Sequence, residues 1–335
     1  GNVGRSVSYS LYPSEIVDRV VVHKTSEAKL VEGGTAGSVN IITRRPLQFA
    51  EPLTIQGSIG AVHSDLPGDT KPQLDALLNW RNDEGTAGFL VQVFNEERSL
   101  RRDGQEVVGG YGTITSTNPE LNGVLYPNLI GAAYFEQVRK RQGGVANIEA
   151  KVTDDLTLNV NAFYSRLKAD NYNRNYMMWA SQFVNSQTPT SYTVQNGVLT
   201  SATYAPVTGG TTVTPYGVYD MISRPGAEST SKYIALDAEW NASDALKFVF
   251  QLGSTKGNGS SPTQDVLETG IAGNAGASWS MNGVSNPIDW SLGGTNTAAN
   301  HLPQSGWIFG AQGIDVLDKE DWASADGQFF FDNDT

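Results

Sequence analysis

The chain predicts an all-β fold, a transmembrane antiparallel β-barrel, and three observations carry that prediction. Eight segments alternate apolar and polar residues with period two, as strands do when only one face meets an apolar phase. Short turns alternate with very long connections, and a compact soluble β-sandwich does not tolerate long structureless loops. Charged residues make up 17% of the 335 positions, below the usual quarter or so, while 36 are glycine and 10% aromatic, which suits many strands and turns.

The first element is residues 13–46, PSEIVDRVVVHKTSEAKLVEGGTAGSVNIITRRP, read as strand, turn, Gly-rich corner and second strand. Gly33, Gly34 and Gly37 permit positive φ and close backbone approach at the corner, and Asn40 sits in the strand that leaves it. No Gly-Lys-Ser/Thr follows this glycine cluster, so it is not a phosphate-binding loop.

The alternating strands then fall at 52–62, 72–82, 86–98, 141–152, 156–167, 231–241, 246–257 and 321–331. In the third, Ala87, Phe89, Val91 and Val93 oppose Gln92 and Glu96. In the fifth, Leu156, Leu158, Val160, Ala162 and Tyr164 oppose Thr157, Asn159 and Asn161. Ile234, Leu236, Ala238 and Trp240 of the sixth oppose Tyr233, Asp237 and Glu239. Leu246, Phe248, Phe250 and Leu252 of the seventh oppose Lys247 and Gln251. The segments have the length of a tilted spanning strand of about 9–11 residues. Connections 83–85, 153–155 and 242–245 are short, whereas 99–140, 168–230 and 258–320 are long. Short turns on one side and long loops on the other are the pattern of an outer-membrane barrel. Trp80 and Trp240 lie on the apolar faces beside short turns, where an aromatic girdle belongs.

No run of 18 apolar residues exists, so a transmembrane helix is not expected, and a mean hydropathy of −0.31 is compatible with alternating strands. A net charge of −12 argues against a nucleic-acid partner. There is no Cys, hence no disulfide or thiolate metal site. The three histidines, His23, His63 and His301, belong to no catalytic or zinc motif, and no catalytic role is expected of any residue. Asp315, Asp318, Glu320 and Asp321 could be imagined around a structural calcium, but their spacing matches no EF-hand loop, and no cofactor or metal is expected.

The corner and its two strands carry a family resemblance. Ile16-Val17-Asp18-Arg19-Val20-Val21-Val22 and Gly33-Gly34-Thr35-Ala36-Gly37-Ser38-Val39-Asn40-Ile41-Ile42-Thr43 are similar to the segment that ends the plug of TonB-dependent outer-membrane receptors. Asp18 stands where that family usually has Glu, and Thr25-Ser26-Glu27-Ala28 replaces a Gly-Pro. Val31-Glu32-Gly33-Gly34 with Thr43-Arg44-Arg45-Pro46-Leu47, together with Asn95-Glu96-Glu97-Arg98 and Phe163-Tyr164-Ser165-Arg166, resembles the subgroup that scavenges oligosaccharides.

The resemblance implies residues 1–47 as the C-terminal part of an α+β plug and 48–335 as the N-terminal part of a barrel with long extracellular loops. Such barrels close 22 strands around the plug, so the eight segments represent a part, without signal peptide or coupling motif. The implied activity is active uptake of a scarce nutrient, driven by the TonB-ExbB-ExbD energy complex from a bacterial outer membrane. An oligosaccharide is the first ligand class and a ferric siderophore or other metal chelate the second. A structural barrel docking surface lipoproteins or other protein partners is the alternative. In related receptors plug arginines meet barrel carboxylates, which makes Arg19, Arg44 and Arg45 candidate partners of Glu96, Glu149 and Glu239. The long connections hold Tyr172, Tyr176, Trp179, Trp279, Trp290 and Trp307 among many amides and hydroxyls, and aromatic faces stack on pyranose rings. These six are the candidate ligand contacts.

Overall fold

A computed structural model describes residues 9–25, 37–207, 215–272, 275–283, 285–293 and 305–331. The protein is all-β, with antiparallel sheets and, among the described residues, only short 3-10 turns beside them.

Strands β1 (Val17–His23) and β2 (Ser38–Thr43) form a separate two-stranded antiparallel sheet, with Val20 opposite Ile41 and Val21 opposite Asn40. Gly33 and Gly34 lie outside the described residues. Gly37 has φ +121°, and a Cβ there would run into the carbonyl oxygen of His23. Only glycine fits that position without strain. Gly37→Ala is expected to destabilise this small module by about 1–3 kcal/mol, read as faster proteolytic cleavage of its chain.

The main sheet is a meander. β3 (Leu53–Ser64), β4 (Asp69–Arg81), β5 (Ala87–Thr113), β6 (Leu125–Lys151) and β7 (Leu156–Met178) pair in sequence order. A sixth line follows, made of β10 (Pro215–Arg224) and β11 (Glu228–Ser243), then β12 (Leu246–Ala272) and β15 (Ser305–Phe329). β10 pairs with the upper halves of β7 and β12, and β11 with their lower halves, so the two are one strand with an interruption. The break falls at Pro225-Gly226-Ala227. Proline has no N–H to donate there, Gly226 takes φ +71°, and its N–H turns to the Asp170 Oδ1 at 2.6 Å.

All eight segments expected from alternation are strands of this meander, joined at one end by the short turns. The long connections differ from expectation. Residues 99–113 and 125–140 continue β5 and β6, each 27 residues long, rather than forming loops. Over 99–106 and 134–140 both faces carry polar residues, with Arg101, Arg102 and Asp103 in succession opposite Glu136, Phe135 and Tyr134. Alternation disappears when neither face is apolar, although the backbone ladder continues. β8 (Ser191–Gln195), β9 (Val198–Tyr204), β13 (Ala277–Ser280) and β14 (Asp289–Ser291) form a cap at the long-hairpin end. The cap core is Trp279, Tyr204, Tyr216, Phe183 and Leu199 with the strand-tip residues Ile130, Met178 and Ile271.

One face of the meander is apolar and exposed over a band of limited height. Its outward residues include Leu53, Ile55 and Ile59 on β3, Leu74, Leu78 and Trp80 on β4, and Phe89, Val91 and Val93 on β5. Ile148 and Tyr164 carry it across β6 and β7, Ile234, Leu236 and Trp240 across β11, and Phe250 and Leu252 across β12. Above the band the same face turns polar: Asn95 on β5 lies opposite Gln142 on β6, which lies opposite Arg166 on β7. The apolar part of each strand is therefore about 8–10 residues, close to the length that crosses a bilayer at a tilt. Trp80 stacks obliquely on Phe89 and Trp240 on Phe248, both at 5.7 Å, beside the short turns.

The other face holds the module. Ile16, only 1% exposed, fills a cluster with Leu77, Leu90, Phe94, Val145 and Phe163. Tyr12 stacks on Phe163 at 5.0 Å, and Phe163 on Tyr233 at 5.4 Å.

Candidate functional site: the module-binding face of the sheet

Around the Ile16 anchor, the inner face of the sheet offers polar side chains to the backbone of residues 10–50. Asn79 donates to the Pro46 carbonyl at 3.2 Å and Gln92 to the Glu15 carbonyl at 3.0 Å. Arg81 donates to the carbonyls of Phe49 and Ala50, and Asn161 to the Thr43 hydroxyl at 2.9 Å. Arg45 reaches Glu149 and Glu239, each at 3.7 Å, while the Leu47 N–H donates to Glu149 at 3.2 Å. Each sheet residue in this set has the inward parity of its strand, so the period-two pattern that places apolar residues outward places these inward.

Of the three candidate arginines, Arg45 meets two of the candidate carboxylates. Arg19 is exposed, and neither it nor Arg44 makes an ion pair among the described residues. Among the described residues Glu96 contacts no module arginine. It pairs instead with Arg141 of the neighbouring strand, and Arg141 donates to the carbonyls of Ser10 (2.9 Å) and Tyr12 (3.3 Å). Arg141 is a module contact that sequence reasoning leaves out, since nothing local marks a strand arginine as facing backbone carbonyls.

Packed side chains and many neutral hydrogen bonds make this a tight but polar joint. Glu149, 7% exposed, depends on Arg45 and Leu47 for its partners. Arg45→Gln is expected to loosen the module by about 1–2 kcal/mol, because a buried carboxylate loses its cation while the half-exposed Glu239 loses little. Hydrogen exchange of β2 amides measures that loosening. Unchanged exchange would show that the pair contributes nothing to docking.

The aromatic candidates are placed elsewhere. Tyr172 and Tyr176 stand on β7 with the parity of Tyr164, on the outer face, which faces away from the module. Tyr172 meets Tyr134 edge-on at 6.4 Å, and Tyr134 lies between the guanidiniums of Arg101 (4.9 Å) and Arg174 (5.0 Å). Trp290 packs against Tyr176 at 5.5 Å. Trp179 is half-buried and donates its backbone N–H to the Tyr216 carbonyl at 2.8 Å. Trp279, 2% exposed, stacks on Tyr204 and donates its indole N–H to the Leu199 carbonyl at 3.1 Å, so its ring has no free face. Trp307 lies in β15 with its backbone opposite Thr269, and its side chain is outside the described residues. Sequence order alone does not reveal which face of an extended hairpin these rings occupy.

Carboxylates on the module face above the band include Asp220 and Glu268, opposite one another on β10 and β12. Burial pushes both acids up, and Asp220 adds to the effect at Glu268, while a hydrogen bond from Asn175 at 2.7 Å partly offsets it at Asp220. Raised native values mean that the folded protein binds more protons than the unfolded chain just above the ordinary carboxylate range. Stability is therefore expected to fall as pH rises through that range, and thermal unfolding of Asp220→Asn with Glu268→Gln is expected to lose that slope. Asp315, Asp318, Glu320 and Asp321 spread along β15, where Asp321 pairs with Lys319 and accepts from Ser254. Among the described residues no three His, Asp or Glu side chains converge as metal ligands.

No family model, no curated protein and no solved structure matches this chain.

Proposed function

We propose that the chain is part of a TonB-dependent receptor of the bacterial outer membrane. In this reading the meander is part of the barrel wall, and the module (9–25 and 37–47) is the end of a plug in its lumen. One observation carries the proposal: an exposed apolar band of spanning height on one face, opposite a polar face that grips a separate module. A soluble sheet has no use for Ile59 at 88% and Ile55 at 73% exposure within a continuous apolar surface. A lipid-facing wall does. The outer edges of β3 and β15 have no partner among the described residues, and in hydrocarbon both need further strands.

A gate requires a plug that holds yet releases. Arg45, Arg81, Arg141, Asn79 and Gln92 bind backbone or carboxylate groups that water can also satisfy, so the joint is replaceable once the energy complex pulls. The substrate is a scarce solute, with an oligosaccharide ahead of a ferric chelate by resemblance. Growth of a deletion strain on candidate glycans, set against growth under iron limitation, tests this choice. Loss of iron-chelate uptake with intact glycan uptake overturns it. Integration into liposomes with resistance to alkaline extraction tests the barrel reading itself.

The outward Tyr134, Tyr172 and Arg174 surface favours a second reading, a barrel that docks a surface lipoprotein. Copurification of a stoichiometric second chain that is lost on Tyr134→Ala would support it.

A further inference from the structure

We propose that Arg98 and Arg139 form an anion subsite on the module face, one that takes a sugar bearing a carboxylate or phosphate. The inference rests on reading this face as the lumen wall, and it narrows the substrate class of the proposed receptor. Arg98 of β5 lies directly opposite Arg139 of β6, and no register shift separates them from the Glu96–Arg141 pair one step lower. Both arginines thus share the face of Leu90, Gln92 and Phe94. Like charges directly opposed across a sheet are destabilising, so such a pair calls for a counter-ion. Glu96, two residues before Arg98 on that face, is already engaged by Arg141. Neither Arg98 nor Arg139 makes an ion pair among the described residues. Arg139 is half-buried, and burial, followed by Arg141 and Arg98, pushes its guanidinium below the ordinary arginine value.

A cavity of about 430 Å³ opens over these groups, lined by Arg98, Arg139 and Arg141 together with the carboxylates of Glu15, Glu96 and Glu97. Arg141 engages Glu96 and Lys71 engages Glu97, which leaves Arg98 and Arg139 to a solute. The β7 residue opposite Arg139 is Ala169, whose methyl leaves room above the guanidinium. Glu15 belongs to the module and lines the cavity. A carboxylate there suits a hydroxyl donor, whereas it repels a bare anion. The set therefore asks for a solute with an anionic group for the two forks and a hydroxyl for Glu15, which is the chemistry of an acidic or phosphorylated sugar. Arg141 borders the cavity and also holds Ser10 and Tyr12, so a ligand that draws on Arg141 weakens the hold on the module.

Calorimetric titration of the full chain in detergent micelles tests this with trigalacturonate, glucose 6-phosphate and neutral maltotriose. Binding of either anion but not of maltotriose is expected, and the two anions separate a carboxylate from a phosphate source. Arg98→Gln with Arg139→Gln is expected to weaken anion binding by about tenfold or more. Should that variant not fold, judged by its circular dichroism, the wild-type affinity must still fall as salt rises. Absence of anion binding, equal binding of maltotriose, or an affinity indifferent to both the substitutions and salt would overturn the subsite. A chain that fails to integrate into liposomes defeats the receptor reading, whereas one that integrates and binds no anion defeats this inference alone.

Discussion

Ile148→Arg is expected to destabilise the protein by about 1–3 kcal/mol in a bilayer, the cost of a cation between the interface and the midplane of a barrel wall. Ile148 lies in the outward band toward its short-turn end, 59% exposed, with Phe89 and Val160 opposite it on the two neighbouring strands. An equally exposed position in a soluble sheet would tolerate the change to within about 0.5 kcal/mol. The substitution thus distinguishes lipid from water as the solvent of this face. Gln142→Arg provides the matched control, since it has the same parity one step beyond the polar boundary and should cost at most about 1 kcal/mol. Unfolding in urea from phosphatidylcholine vesicles measures both. Equal stability of Ile148→Arg and wild type would remove the argument for a spanning sheet.

The parts of the fold legible in the sequence are those where burial differs between faces. Leu156 to Tyr164 alternates because Leu158 and Val160 point outward while Asn159 and Asn161 point toward the module, and the strand follows from that contrast. Residues 99–106 and 134–140 carry no such contrast, because Arg98 and Arg139 face the cavity while Arg101 and Tyr134 face the opposite side, which also carries charge. Their strand state depends on the ladder inherited from the hairpin below. The Arg45 pairing with Glu149 and Glu239 came from resemblance plus strand parity, which fixes the face of a carboxylate but not its partner. Glu96 illustrates that limit: its parity points inward, yet the nearest cation is Arg141 on the next strand. Arg98 opposite Arg139 required register, which depends on the length of the 114–124 connection and the bulge between Val108 and Tyr111. The tryptophans were ambiguous for another reason, since burial and ligand contact ask for the same ring.

Trp279→Ala settles that ambiguity with an expected cost of about 3–5 kcal/mol, the usual range for removing a large aromatic from a core. The ring is 2% exposed, stacks on Tyr204 at 5.8 Å and satisfies the buried Leu199 carbonyl, so truncation leaves both a cavity and an unpaired acceptor. The loss should be confined to the cap, because β8, β9, β13 and β14 rest on this core whereas the lower meander is held by its own ladders and the Ile16 cluster. Hydrogen exchange should accelerate at Val198–Tyr204 and Ala277–Ser280 while Leu156–Ser165 stays protected. Trp290→Ala removes a half-buried ring from Tyr176 and should cost less. Under a ligand-contact role the pattern would invert: Trp279→Ala would retain cap protection and lose affinity for the solute. The packing of Trp279 argues for the first outcome, in which the cap loosens while a subsite built on β5 and β6 retains its affinity.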